Sequence, residues 1–213
     1  MNTTLHFIRH AEVESAYQGV FGGTIDMNLS PRGEAQARIL ADYLKNQPLD
    51  AIFASPMKRV QQTLAPLREQ SDLQPVILPD LHEVNFGIWQ GLNFAQVKER
   101  YGFDSHQWLE ALVGGKVAQA ENMEAYQARI ENCLRQIREQ GQGKSVGVFC
   151  HGGVIRMLIS LLLRLPYAKM DWMEIEYASI STVVINGVRA RLRLSDFAPW
   201  RDLPGLNHAE QPE

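Results

Sequence analysis

The apolar residues of this chain come in short runs that alternate with longer stretches of helical spacing. Leu5-His6-Phe7-Ile8 is a brief apolar run that stops at Arg9-His10, and Ala51-Ile52-Phe53-Ala54 and Ser145-Val146-Gly147-Val148-Phe149 repeat the pattern. Four or five mainly apolar residues bounded by polar or turn residues read as a buried strand. Val76-Ile77-Leu78 is a shorter strand of the same kind. Residues 181–185 and 190–194 are two more, separated by Asn186-Gly187, a strong hairpin-turn dipeptide.

Helices fill the intervals. Ser30 can cap a helix, and Pro31 suits its first turn, where a missing N–H costs nothing. That helix should run to about Asn46, with Ile39, Leu40, Tyr43 and Leu44 on one face. Ser55-Pro56 repeats the signal and predicts a second helix carrying Arg59. Residues 81–140 read as a mostly helical insertion, amphipathic over 123–137, and a further helix follows Gly153 through Leu163.

Alternating strands and helices predict a three-layer α/β/α fold with a mostly parallel central sheet. One domain should span residues 1–200, with the insertion as a lid and a loose polar tail over 201–213. In such sheets ligands bind at the carboxyl ends of the strands. Here three strands end on chemistry: Arg9-His10, Ser55-Pro56 leading to Arg59, and Cys150-His151-Gly152-Gly153. Those ends should converge.

Composition narrows the partners. The net charge of the 213 residues is -3, so no broad basic field is available to hold a nucleic-acid backbone. The most apolar window, residues 154–165, is broken by Arg156 and Arg164 and is too short to span a bilayer. Two cysteines, Cys133 and Cys150, are too few for a secreted disulfide framework. The first residues lack the pattern of a signal peptide. The expectation is a cytoplasmic enzyme with no membrane or nucleic-acid partner; its oligomeric state stays open.

A pocket holding His10, Arg9, Arg59 and His151 would be small and densely positive. Arginine suits bidentate contact with phosphate oxygens, so a dianionic phosphoryl group is the natural ligand. Transfer of that group needs charge stabilisation on its equatorial oxygens and an in-line nucleophile. A neutral imidazole can be that nucleophile, and neighbouring arginines help to keep it neutral. The leaving alcohol then needs a proton donor, which a carboxyl group can be.

Three segments carry a family resemblance. Phe7-Ile8-Arg9-His10-Ala11-Glu12 resembles the signature of the histidine phosphatase (phosphoglycerate mutase-like) superfamily, with Ala11 where glycine is usual. Residues 55–63 are similar to its second element, where the arginine binds phosphate, and Cys150-His151-Gly152-Gly153 resembles its His-Gly-Gly element. Residues 81–91, Leu81-His82-Glu83-Val84-Asn85-Phe86-Gly87-Ile88-Trp89-Gln90-Gly91, resemble the Leu-x-Glu-x-x-Phe-Gly-x-Trp-Glu-Gly run of α-ribazole-5'-phosphate phosphatases, late enzymes of cobalamin nucleotide-loop assembly. Gln90 departs from that run, as does Ala120-Glu121-Asn122 from an expected Gly-Glu-Ser, and both departures should lie away from the chemistry.

The resemblance implies a metal- and cofactor-independent phosphomonoester hydrolase. His10 would attack phosphorus; Arg9, Arg59 and His151 would hold the phosphoryl oxygens; Glu83 would protonate the leaving oxygen and then activate water. Gly22, Thr24, Gly152 and Phe86 are the expected contacts to a small-molecule phosphomonoester. Two rivals stand beside this. Cys150 and Arg156 have the Cys-x5-Arg spacing of a cysteine-dependent phosphate loop, although Val154-Ile155 would put β-branched apolar residues in it. A phosphoglycerate mutase would share the site, but Ser15-Ala16 stand where such mutases carry Trp-Asn.

Overall fold

A computed structural model describes residues 2–104 and 107–203. Six strands form one sheet: β1 (Asn2–Arg9), β2 (Ala51–Ala54), β3 (Val76–Ile77), β4 (Ser145–Cys150), β5 (Ile180–Asn186) and β6 (Arg189–Phe197), in the order β3-β2-β4-β1-β5-β6. The four strands from β3 to β1 pair in parallel, and β5 and β6 add two antiparallel strands at one side. The expected mostly parallel α/β sheet is what forms.

Side chains alternate across the strands, which is why both sheet faces are apolar. Ile8, Ile52, Ala54 and Phe149 pack with α1 (Pro31–Leu44) and α2 (Lys58–Glu69) on one face. Leu5, Phe7, Val146 and Val148 pack with α5 (Met123–Gln140) and α6 (Gly152–Leu163) on the other. Ser30 caps α1 as expected, its hydroxyl accepting the Gly33 N–H at 2.9 Å, a contact worth about 1 kcal/mol.

Four expectations need correction. The helix after β2 begins at Lys58, and its cap position is Met57, with no side-chain cap. Ser55 is instead fully buried and bonded to His151. Asn186 is the last residue of β5, paired with Arg189, so Gly187 and Val188 make the hairpin turn. The region 81–140 is not one helical insert. Short 3-10 turns and loops carry it to α3 (Phe94–Tyr101) and α4 (Trp108–Val113), and α5 returns to the sheet as the crossover helix into β4. The first turn of α5, at Met123 and Tyr126, still reaches the cavity at the strand ends. Lastly, Arg201 and Asp202 belong to a short helix, α7 (Pro199–Asp202), where Arg201 pairs with Asp196 and Asp202. The remainder of the expected loose tail, 204–213, lies outside the described residues.

β1 leads into α1 on one face and its neighbour β4 leads into α6 on the other. The chain therefore parts in opposite directions at two adjacent strand ends, and a crevice opens there. Among the described residues no helix is long and apolar enough to cross a membrane.

Candidate active site

Arg9 pairs with Cys150 in the β1–β4 register, and the next residue on each strand is a histidine. The His10 N–H donates to the Cys150 carbonyl at 3.0 Å, and the two imidazole centres lie 5.3 Å apart. His10 Nδ1 sits 2.9 Å from the Ala11 carbonyl oxygen. A carbonyl can only accept, so Nδ1 carries the proton and Nε2 keeps its lone pair. Burial, and then Arg59 and Arg9, hold the His10 pKa well below its ordinary value. The ring is thus neutral near pH 7 with a free Nε2.

The two arginines are anchored through backbone carbonyls, which leaves their charge uncancelled. Arg9 donates from Nη1 to Ile175 at 2.6 Å, stacks with its guanidinium carbon 4.0 Å from the Tyr177 ring centre, and has a buried Nε with no partner among the described residues. Arg59, only 2% exposed, donates to the carbonyls of Ile25 and Gly23 at 2.8 and 2.9 Å. Burial pulls its pKa down to about 10 and Arg9 adds to this, while Glu83 opposes it, so Arg59 stays charged at neutral pH.

Glu83 is held by two backbone donors, the Val84 N–H at 2.9 Å and the Gly153 N–H at 3.1 Å. A β-carbon on Gly153 would lie 2.5 Å from Glu83 Oε1, so glycine at the start of α6 is what lets the carboxylate approach. The His151 side chain does not cap that helix; the Gly153 N–H is taken by Glu83, and Gly152 at the helix start lines the cavity, where backbone can approach an anion. Behind Glu83, Arg129 of α5 donates to the carbonyls of Asp80 and His82 at 2.6 and 2.8 Å, and pairs through Nε and Nη2 with Glu121 at 2.6 and 2.8 Å. Glu121, expected to lie away from the chemistry, therefore fixes the arginine that ties down the Glu83 loop.

A cavity of about 380 Å³ opens at these strand ends. Arg9, His10, Arg59, Glu83, Gly152 and Arg156 line it, and so does an aromatic cluster of Phe21, Phe86, Phe94 and Trp108. The Phe21 ring lies 5.0 Å from Phe86 and 4.9 Å from Phe94. Gly22 also lines the cavity. Two expected residues are placed differently. His151 is fully buried beside His10, their ring centres 5.3 Å apart, and is not among the residues that line the cavity. Thr24 is exposed and outside the lining; its N–H and hydroxyl both donate to Gln90 Oε1, at 2.7 and 2.9 Å, which staples its loop to the segment after Trp89. Gln90 thus has a structural use of its own.

The expected Phe86 does line the cavity, but sequence reading missed Tyr177, Arg156 as a cavity residue, and the rest of the aromatic wall. Tyr177 sits in a loop with no motif around it. Arg156 was visible only as a partner for Cys150, and that pairing fails. Cys150 is buried outside the cavity lining, and burial pushes its thiol pKa far up, so the group is not a ready thiolate. Among the described residues no cluster of three or more His, Cys, Asp or Glu side chains is arranged to hold a metal ion.

A family model for the histidine phosphatase superfamily (branch 1) matches residues 5–196. The chain belongs to this superfamily. Histidine phosphatase relatives align over most of both chains. Phosphoserine phosphatase 1 of Hydrogenobacter thermophilus is 29% identical over 84% of this chain and 85% of its own. The adenosylcobalamin/α-ribazole phosphatase of Salmonella typhimurium is 26% identical over 92% and 98%. Among solved structures, the α-ribazole phosphatase of Shigella flexneri superposes with a TM-score of 0.79 at 25% identity, covering 91% of this chain and 96% of that one.

Proposed function

We propose that the protein is a metal-independent phosphomonoester hydrolase working through a phosphohistidine at His10, and that its substrate is α-ribazole 5'-phosphate. His10 Nε2 forms a bond to phosphorus as the ester P–O bond breaks, and Glu83 gives the leaving oxygen its proton. Water then attacks phosphorus, Glu83 takes a proton from that water, and the N–P bond breaks to release phosphate. Arg9, Arg59, Arg156 and the positive N-terminal end of α6 offset the charge on the phosphoryl oxygens in both steps.

One observation carries the substrate reading. The cavity is lined both by the cationic group around His10 and by a wall of clustered aromatic rings. A flat, apolar leaving group would fill that wall by ring contact, each contact contributing about 0.5–1.5 kcal/mol beyond burial. The ring system of α-ribazole meets that description, and the likeness of residues 81–91 to α-ribazole phosphatases supports it. A second reading rests on Arg156. Its Nε is tied to the Met173 carbonyl at 2.9 Å, it lines the cavity, and it forms no ion pair among the described residues. That guanidinium would suit a leaving group with a carboxylate, as in phosphoserine or a phosphoglycerate.

The test is a phosphate-release screen over α-ribazole 5'-phosphate, phosphoserine, 2,3-bisphosphoglycerate, sugar phosphates and phosphotyrosine. The first reading expects the highest kcat/KM on α-ribazole 5'-phosphate. A preference for phosphoserine would install the second, comparable rates on all would make the enzyme a broad-specificity phosphatase, and phosphoryl exchange between phosphoglycerates without release would make it a mutase.

A further inference from the structure

Ser55 has a place in the site that its sequence context hides. It lies at the end of β2, 0% exposed, and its Oγ is 2.8 Å from His151 Nε2. Its backbone is fixed from both sides: its N–H donates to Phe149 at 2.9 Å and its carbonyl accepts from the Gln61 side chain at 2.6 Å. The other ring nitrogen of His151, Nδ1, is buried and has no partner among the described residues.

His151 is buried beside Arg59, His10 and Arg9, and burial above all keeps its pKa well below the ordinary value. A neutral imidazole has one N–H, so its location decides what the ring offers. The hydrogen-bond inventory of Ser55 settles it. The Met57 N–H points to Ser55 Oγ at 3.4 Å and can only donate. If the serine hydroxyl gives its proton to His151 Nε2, the hydroxyl and Nε2 are both satisfied, and only Nδ1–H is left over. If Nε2–H donated to the serine instead, the buried hydroxyl proton and the buried Nδ1 would both be left without partners. Each unsatisfied buried group is costly, so the first arrangement wins.

We propose that Ser55 is a positioning residue that fixes His151 in the Nδ1–H tautomer, making it a neutral donor to the phosphoryl group carried on His10. The two imidazoles then do opposite work 5.3 Å apart. His10 donates Nδ1–H to the Ala11 carbonyl and presents a lone pair at Nε2, whereas His151 accepts at Nε2 and presents a proton at Nδ1. A phosphoryl oxygen that the transfer to His10 brings up against the neighbouring ring is the acceptor that this buried proton lacks. A donor of this kind adds no charge before the reaction, so it does not suppress His10 as a nucleophile through a further positive neighbour. This inference rests on the phosphohistidine reading given above.

The experiment is nitrogen-15 NMR of histidine-labelled protein at pH 7, with His151 assigned from a His151→Gln variant. The expected wild-type signature is a proton on His151 Nδ1 and a bare Nε2. In Ser55→Ala the ring should populate both tautomers, and kcat/KM for p-nitrophenyl phosphate should fall about tenfold, the worth of one such bond. Ser55→Thr keeps the hydroxyl and should restore both the signature and most of the rate. A wild-type proton on Nε2 overturns the proposal, as does a folded Ser55→Ala variant with unchanged kcat/KM. The NMR measurement needs no turnover. A wild-type protein that released no phosphate from any ester would sink the hydrolase reading and leave the tautomer to be decided on its own.

Discussion

His10 and His151 are two buried histidines whose low pKa values have the same leading cause, burial, reinforced by the same pair of arginines. That shared environment makes a kinetic prediction. With the nucleophile's pKa below 6.5, kcat/KM should hold as pH falls past 6.5 once substrate ionisation is allowed for, and the acid limb should lie lower. A pH–rate profile checks this; a limb centred at or above 6.5 would contradict it. Gly153 offers a cleaner separation of fold from chemistry. The atom a new β-carbon would strike is the mobile end of Glu83, not backbone. Gly153→Ala should therefore barely change the urea midpoint while lowering phosphate release, roughly a hundredfold if general acid–base help is lost. Cys150→Ser should leave turnover largely intact. Arg9, His10, Arg59 and the His151-Gly152 element were legible in sequence because each closely follows an apolar run that could only be a buried strand. Ser55 was not. A serine before proline is also what a helix cap looks like, and only the position of His151 on the neighbouring strand shows which use won.

Among the elements, α5 was the most misread. Its 3.6-residue periodicity shows that one face is buried but not against what, and the sheet and a lid are equally apolar partners. Its position on the sheet gives Arg129 its reach to the loop that carries Glu83. The Arg129 and Glu121 side chains are only 11% and 14% exposed, so removing one partner strands a charge. Arg129→Ala should lower the unfolding free energy by on the order of 3–5 kcal/mol, and phosphate release should fall with it. Arg129→Lys keeps the charge but loses the fork that spans Glu121 and the carbonyls of Asp80, His82 and Glu83, so it should fall between the two. Urea unfolding combined with the release assay measures both effects, and an Arg129→Ala variant with wild-type turnover would show that the Glu83 loop holds itself. The aromatic wall was hidden for another reason. Phe21, Phe86, Phe94 and Trp108 are scattered over nearly 90 positions, and aromatic residues in such segments are as often core as lining. Trp89, three residues from Phe86, is fully buried core.

Across the whole molecule, the arrangement of layers makes the site. The chain leaves β1 toward one face and β4 toward the other, and the residues at that parting are the histidines. Burying them neutral also links stability to pH. His10, His151 and the half-buried His6 all have lowered pKa values, so the unfolded chain binds protons that the folded chain refuses. Their contribution is fully present above the unfolded value of 6.5 and is lost as pH falls below it toward the lowered folded values. Thermal unfolding scans should show a falling midpoint on acidification from that point, before most carboxylates titrate. A fold of this kind announces its strands and strand ends in sequence, because those are local patterns. The cavity wall joins loops that meet only after folding, so it stays silent until the structure is in view.

The central claim is that His10 Nε2 takes the phosphoryl group. It is tested most directly by rapid quenching of the protein with a phosphorus-32-labelled phosphomonoester and locating the label by peptide mapping. The account predicts acid-labile, alkali-stable label on His10, and neither label nor turnover in His10→Ala. Label on Cys150, or phosphate release by the His10→Ala protein, would contradict it.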